Sequence, residues 1–238
     1  MRFIKMIRQP KVAAIDGDII AYRIACKVDI NGDKYLVQNI QEYVAEWTPS
    51  DVDHILLTFS CNRSDNFRKI YWPQYKEHRN VVAKPDSMSY VIEVMCGIYE
   101  NLKKDIIEAD DIMGKLASAG KAVAVTIDKD LRGVPGWHWN PDKEWEPRYV
   151  TQSEADRFFC KQWIMGDSTD KVPGIPKVGP VKAERLLDTV EPHNREQLIL
   201  AEYEKKGLSE EYALGQATAI RILRIGEKPV LWQPSWYI

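Results

Sequence analysis

The stretch from Lys104 to Leu131, KDIIEADDIMGKLASAGKAVAVTIDKDL, restricts what this chain can fold into more than any other. Ile112, Met113, Leu116 and Ala117 recur at a spacing that places them on one face of a helix between Ala109 and Ala119. Gly120 stops that helix. Ala122 to Ile127 is a run apolar except for Thr126 and rich in Val, the pattern of a strand covered on both faces in a parallel sheet. With the apolar pair Ile106-Ile107 ahead of it, the stretch reads as strand, helix, strand, a right-handed βαβ crossover. Ligands of open α/β sheets bind beyond the strand C-termini, and there the sequence puts Glu108, Asp110, Asp111, Asp128 and Asp130.

Carboxylates gathered at one edge raise one another's pKa and oppose folding unless cations or protons neutralise them. All-oxygen donors suit Mg²⁺ or Mn²⁺, whereas zinc or copper would recruit His or Cys, and none is near. Asp110 and Asp111 also suit a plain helix N-terminus, and for that pair alone both readings stand. Acids at a second strand exit favour metal. A third exit agrees: Lys11 to Ile15 reads as the first strand and runs into Asp16-Gly17-Asp18 before a helix from Ile19 to about Cys26.

Elsewhere the elements are mostly ordinary. Asn31-Gly32 signals a turn, with a small hairpin expected between Val28 and Leu36. Asn39 to Trp47 suits a helix, His54 to Phe59 a second central strand, and the run after Pro85-Asp86 an amphipathic helix with Met88, Val91, Ile92 and Met95 inward. Trp137 to Val150 suits short edge strands or a hairpin. Thr151 with Glu154 forms a capping-box pattern for a helix to about Met165. From Pro192 the chain reads as helical to about Ile225, with Arg221 and Arg224 as a basic face, and KPVLWQP closes as a strand.

Two further segments carry chemistry. Asn66 to Arg79 interleaves Arg68, Lys69, Lys76 and Arg79 with Tyr71, Trp72 and Tyr75, suited to phosphates and stacked bases. From spacing alone, a solvated loop-helix whose aromatics touch the core is the favoured reading. Gly166 to Leu187 adds Asp167 and Asp170, then a tight turn from Gly174 to Gly179 ahead of a helix from Val181 to Leu187. Pro180 and Val181 stand where a P-loop requires Lys and Ser/Thr. The turn can still offer backbone N–H groups to a phosphate, with Lys177, Lys182 and Arg185 beside it.

With 33 basic against 35 acidic residues, no global positive field announces nucleic acid, but an acid cluster would mask basic patches in that count. Cys26, Cys61, Cys96 and Cys160 lie far apart, which argues against a zinc site or a disulfide framework and fits a reducing cytoplasm. Neither a signal-peptide core nor a membrane-spanning run is expected. At 238 residues the chain is one large domain or a core with an appendage.

Assembled in order, these motifs resemble the flap endonuclease and 5′-to-3′ exonuclease family, and most of all its phage exonucleases of the short-tailed type. AIDGD (Ala14 to Asp18), NFRK with YWPQYKEHR, IEADDIMGKLAS, TIDKDL and GDSTDKVPGIPKVGPVKAERLL are similar to its successive acidic, arch and duplex-clamp motifs. The resemblance implies an α/β fold with a PIN-like or resolvase-like, mainly parallel sheet flanked by helices, and a C-terminal helix-three-turn-helix region that binds DNA. Residues 1–165 would form the nuclease core, with an arch at about 60–100, and 166–238 the helical duplex-binding region.

It further implies a metal-dependent phosphodiesterase acting at 5′ ends and flaps of duplex DNA and on RNA–DNA hybrids during phage DNA replication. Two Mg²⁺ or Mn²⁺ ions would serve it, with K⁺ at the helix-hairpin-helix-like turn. Asp16, Glu108, Asp110 and Asp111 would bind one ion, and Asp128, Asp130, Asp167 and Asp170 the other. Lys76 and Arg79 would contact the scissile phosphate, Tyr75 would stack on the terminal base, and Arg68, Gly174, Lys177, Gly179, Lys182 and Arg185 would contact DNA. A cytoplasmic monomer meeting a replication polymerase or single-strand-binding protein is expected. The rival readings are a PIN-type ribonuclease, which lacks the clamp, and a silent DNA-end-binding protein of the same fold. One departure stands out: an aspartate should follow the strand His54 to Phe59, yet Ser60 or Cys61 is there, and the nearest acid is Asp65. Asp65 is not expected to fold back to the site, which leaves the first ion one charge short.

Overall fold

A computed structural model of the chain describes residues 8–80 and 83–237. Its centre is β1 (Val12–Asp16), followed by α1 (Gly17–Asn31), α2 (Leu36–Glu46), β2 (His54–Phe59), α3 (Arg68–Tyr71), α4 (Met88–Ile98) and β3 (Asn101–Lys103). Then come α5 (Ala109–Ser118), β4 (Val123–Val125), β5 (Gly136–Trp139), β6 (Arg148–Val150), α6 (Gln152–Met165), α7 (Pro180–Leu187), α8 (Arg195–Glu204) and α9 (Glu210–Ile220). The six strands lie in the order β3-β2-β1-β4-β5-β6. All pairings are parallel except β5 with β6.

Alternation along the strands sorts the two faces of the sheet. Ala13, Ile15, Leu57, Val123 and Val125 pack with Ile20 and Ile24 of α1, Ile40 of α2 and Val91 and Met95 of α4. The opposite face offers Ala14 and Ala124, small enough for α5 to lie close through Met113 and Ala117. Gly136 tightens this contact: with φ +131°, a β-carbon there would stand 2.4 Å from the Ala117 carbonyl oxygen. A separate apolar cluster joins Phe159 and Trp163 of α6 to Leu187, Ile199, Tyr203 and Ala213 of the last three helices.

The βαβ reading holds for α5 and β4, but Ile106-Ile107 is loop. The Ile106 and Ile107 carbonyls accept the N–H groups of Phe67 and Cys61, which leaves strand pairing to Asn101–Lys103. No hairpin forms between Val28 and Leu36, because α1 runs on to Asn31 and Gly32 caps it at φ +75°. The helical stretch expected from Pro192 to Ile225 is split at Gly207 (φ +71°), and α9 ends at Ile220. Arg221 and Arg224 form no exposed basic face: both are buried and paired, with Glu227 and Asp156 respectively. KPVLWQP is not a strand; its Trp232 packs edge-on against Phe159 and Trp163. Among the described residues no helix is long and apolar enough to cross a membrane.

Candidate active site

Parallel pairing aligns the C-terminal ends of β1 and β4, so the residues leaving them open onto one edge. Asp16 ends β1 and caps α1, its Oδ1 accepting the Ile19 N–H at 3.2 Å. Glu108 caps α5 in a reciprocal box with Asp111. Asp128 heads the turn beyond β4, and its Oδ1 accepts the Asp130 N–H at 2.8 Å. Asp167 and Asp170 come from the turn after α6, closed by paired backbone hydrogen bonds between Asp167 and Val172. Glu108, Asp110, Asp128, Asp130, Asp167 and Asp170 line one pocket together with Lys76.

Four of the acids, Asp16, Glu108, Asp110 and Asp130, are tuned by what they face. Burial pushes Asp16 up to about 7, with the Asp18 charge adding to it. Burial, then the Asp128 and Asp16 charges, raise Asp110 well above the ordinary carboxylate range. Asp130 rises to about 7 through burial and Asp128. Glu108 goes the other way: burial opposes its charge, but Lys76 and Arg68 outweigh that and hold it down at about 2. Lys76 Nζ donates to Glu108 Oε1 at 2.8 Å and lies 3.9 Å from Asp170, while Tyr75 Oη donates to Glu108 Oε2 at 2.8 Å. The Lys76 backbone is left-handed, at φ +51°. A residue without glycine's freedom keeps such a conformation only when its surroundings enforce it, and here its N–H is tied to the Asp170 carbonyl.

Three expectations change at this site. Arg68 is not a DNA contact; it is 1% exposed and forks onto Asp111, which is fully buried. Asp111 is not open to an ion, because its oxygens already accept Arg68 and the N–H groups of Glu108 and Leu223. Tyr75, at 3% exposure, has its ring in the core and its hydroxyl on Glu108, so it offers no stacking face. Lys69 and Tyr71 are half-buried and Trp72 is buried, so the aromatics of this segment do touch the core. The side chain of Arg79 lies outside the described residues.

The duplex-clamp residues divide similarly. Lys177, Gly179, Lys182 and Arg185 are exposed around the start of α7. Gly174 instead turns inward, its N–H donating to Gln216 Oε1 at 2.7 Å, and a β-carbon on it would lie 2.3 Å from the Met165 carbonyl carbon. Asp65 is exposed, with its carboxylate bonded to Asn62 and Ser64.

Residues absent from the expected set also enter. Asp18 Oδ2 accepts the Ser60 N–H at 2.9 Å, which sets a carboxylate beside the position where an aspartate was missing. Gln162 of α6 donates to Asp130 Oδ1 at 2.7 Å, and Thr126 donates to Asp16 Oδ2 at 2.9 Å. The DGD triplet at a strand exit is a signal for Asp18; nothing local marks Gln162.

Among the described residues no group of three acids, histidines or cysteines is drawn together tightly enough to hold an ion as the side chains stand. Glu108 leans on Lys76, and Asp130 on Gln162. The donor set nevertheless fits a hard divalent ion. Asp110 Oδ1 is buried without a hydrogen-bond partner, and its neighbours lining the pocket are carboxylates whose mutual repulsion a cation relieves.

No family model matches the chain. It is 30% identical over 230 residues to the exonuclease of Escherichia phage T7, a match covering 76% of this chain and 74% of that protein. It is 34% identical over 153 residues to the exodeoxyribonuclease of Enterobacteria phage T3, covering 58% and 49%. With the flap endonuclease Xni of Shewanella baltica it shares 26% over 139 residues, covering 52% and 53%. The chain thus spans about half the length of these last two relatives. Its fold matches that of the zinc-bound T5 5′-exonuclease at TM-score 0.66 and 14% identity, over 90% of this chain and 89% of that one. The T5 flap endonuclease in complex with DNA and metal ions matches at 0.58 and 13% identity, over 88% and 84%. By its sequence relatives, with a fold in agreement, the chain belongs to the family of 5′-to-3′ exonucleases and flap endonucleases.

Proposed function

We propose that this chain is a metal-dependent 5′ nuclease that hydrolyses phosphodiesters at 5′ ends and single-strand junctions of duplex DNA, RNA-primed ends included. The observation that carries this reading is the pocket in which Asp110, with its unpartnered buried oxygen, faces Asp128 and Asp130 from a second strand exit and Lys76 from the arch. Asp16, Glu108, Asp110 and Asp128 are the residues that would hold divalent ions, Mg²⁺ or Mn²⁺ by their oxygen-only donors, with Asp130, Asp167 and Asp170 completing the rim. Bound there, such ions supply an activated water and charge stabilisation at the leaving oxygen.

The chain's own residues do the rest. Lys76 keeps its proton: burial disfavours the ammonium, but Glu108, Tyr75, Asp170 and Asp110 together outweigh burial and hold its pKa well above the ordinary value. It therefore remains a cation able to meet the phosphate that an acidic pocket would repel. Tyr75 and Lys76 together grip Glu108 by both oxygens and fix its direction. Lys177, Lys182 and Arg185, with the amides at the start of α7, form a sequence-blind grip on duplex phosphates, with K⁺ as a further ligand of that turn. Residues 1–165 would supply the chemistry and 166–238 the duplex grip. The folded α7 turn, packed on α6 through Ala183 and Leu187, favours this reading over a ribonuclease that lacks the clamp. A monomer acting in phage replication beside a polymerase or single-strand-binding protein is the setting we assign to it.

The test is digestion of a 5′-labelled duplex, a 5′ flap and an RNA–DNA hybrid with and without Mg²⁺. Release of short 5′ products that stops on chelation is expected. A protein that binds these ends but cuts none of them in Mg²⁺ or Mn²⁺ would be the silent end-binder instead.

A further inference from the structure

A single hydroxyl joins the acid that ends β1 to the acids beyond β4. Thr126 is 4% exposed, and its Oγ1 donates to Asp16 Oδ2 at 2.9 Å while accepting the Asp128 N–H at 3.2 Å. A hydroxyl has one proton to give and lone pairs to spare, so one rotamer satisfies both partners. Asp16 is thereby held at both oxygens, since its Oδ1 accepts the Ile19 N–H at 3.2 Å, and each oxygen keeps a further lone pair. On the other side the order continues: Asp128 Oδ1 accepts the Asp130 N–H at 2.8 Å, and Asp130 Oδ1 accepts Gln162 Nε2 at 2.7 Å. Hydrogen bonds thus run from α6 to β1, and Thr126 is where they cross between strands.

We propose that Thr126 is a positioning residue of the reaction: its hydroxyl sets the orientation of Asp16 and the turn carrying Asp128, so that both carboxylates are presented to the divalent ions together. This rests on the reading of the pocket as a divalent-ion nuclease centre. Valine has nearly the same shape as threonine but would leave Asp16 Oδ2 without its donor and the Asp128 N–H without its acceptor. Losing hydrogen bonds that orient metal-binding groups lowers metal affinity or activity about 10–100-fold.

The experiment is a Mn²⁺ titration of the full chain, with free ion followed by electron paramagnetic resonance, beside steady-state cleavage of a 5′ flap. Thr126→Val should need about tenfold or more Mn²⁺ for half-saturation and lose kcat, with KM for the flap near the wild-type value. Thr126→Ser, which restores the hydroxyl without the methyl, should titrate within about twofold of wild type. If thermal melting shows that the valine protein does not fold, Thr126→Ala takes its place and should show the same shift. Wild-type titration of the valine or alanine protein would overturn the proposal, as would a serine protein that loses as much as valine, because packing of the methyl would then set the site. A wild-type chain that neither binds Mn²⁺ nor cleaves would remove the reading of the pocket itself, and the role of Thr126 with it.

Discussion

Arg68 and Asp111 form a two-pronged buried ion pair, Nη1 to Oδ2 at 2.8 Å and Nη2 to Oδ1 at 2.7 Å. The same guanidinium donates to the Arg221 carbonyl at 2.6 Å, and Asp111 accepts the Leu223 N–H at 3.0 Å. The pair therefore ties the base of the arch, the start of α5 and the segment after α9 into one knot. Removing one partner of a buried pair strands the other's charge, at a cost of about 3–5 kcal/mol. Asp111→Ala should lower the melting temperature by roughly 10 °C for a chain of this size. Asp111→Ala that melts like wild type but no longer binds Mn²⁺ would return Asp111 to the metal ligands.

Charge count beside the pocket gives a second expectation. Asp18 touches Ser60, whereas Asp65 is exposed and bound to its own loop. Asp18→Asn should raise the Mg²⁺ concentration for half-maximal cleavage, since fewer carboxylates weaken hard-ion binding, and Asp65→Ala should leave it unchanged. A strong upward shift from Asp65→Ala alone would contradict this.

The raised acids also fix the sign of a pH effect. Asp16 and Asp130 move from 3.8 to about 7, so between those values the folded chain holds protons that the unfolded chain has lost. Stability of the metal-free protein then falls as pH rises through that window. His138 opposes this over most of the window, since burial moves it from 6.5 down to about 4 and its contribution grows with pH until 6.5, but it is one group against two acids. Metal-free melting temperature should therefore decline on going from mildly acidic to mildly alkaline buffer, and Mg²⁺ should flatten the decline. A metal-free melting temperature that rises across that range would show that burial and neighbouring charge do not hold these acids above their ordinary range.

Much of this was legible along the chain. The acid-ended strand β1 and strand β4 follow from short apolar runs and helix α5 from a period of 3.6 residues, and the Thr151–Glu154 capping box forms both of its hydrogen bonds. What local pattern could not carry is partnership across distance. Arg68 meets Asp111 across 43 residues, and Thr126 meets Asp16 across 110. Basic residues among aromatics look alike whether they face a phosphate or, like Arg68, a buried carboxylate. Ile106-Ile107 has the composition of a strand, but its carbonyls are claimed by the loop after β2.

The clamp separates by the same logic. Lys177 and Lys182 are exposed, and Lys177→Ala with Lys182→Ala should weaken duplex binding alike on all sequences and reduce the salt slope by up to about two phosphate contacts. Gly174→Ala should act on stability, since its φ is +70° and its β-carbon would strike the Met165 backbone. An unchanged salt slope in the double lysine variant would place the duplex grip elsewhere.

The central claim, that the carboxylate pocket is a divalent-ion nuclease centre, is tested most directly at Asp110, whose Oδ1 is buried without a partner. The measurement is single-turnover cleavage of a 5′-labelled flap in Mg²⁺ by wild type and Asp110→Asn, with flap affinity measured in Ca²⁺. Cleavage lower by orders of magnitude with affinity in Ca²⁺ nearly intact is the expected result; wild-type turnover by Asp110→Asn would contradict the account.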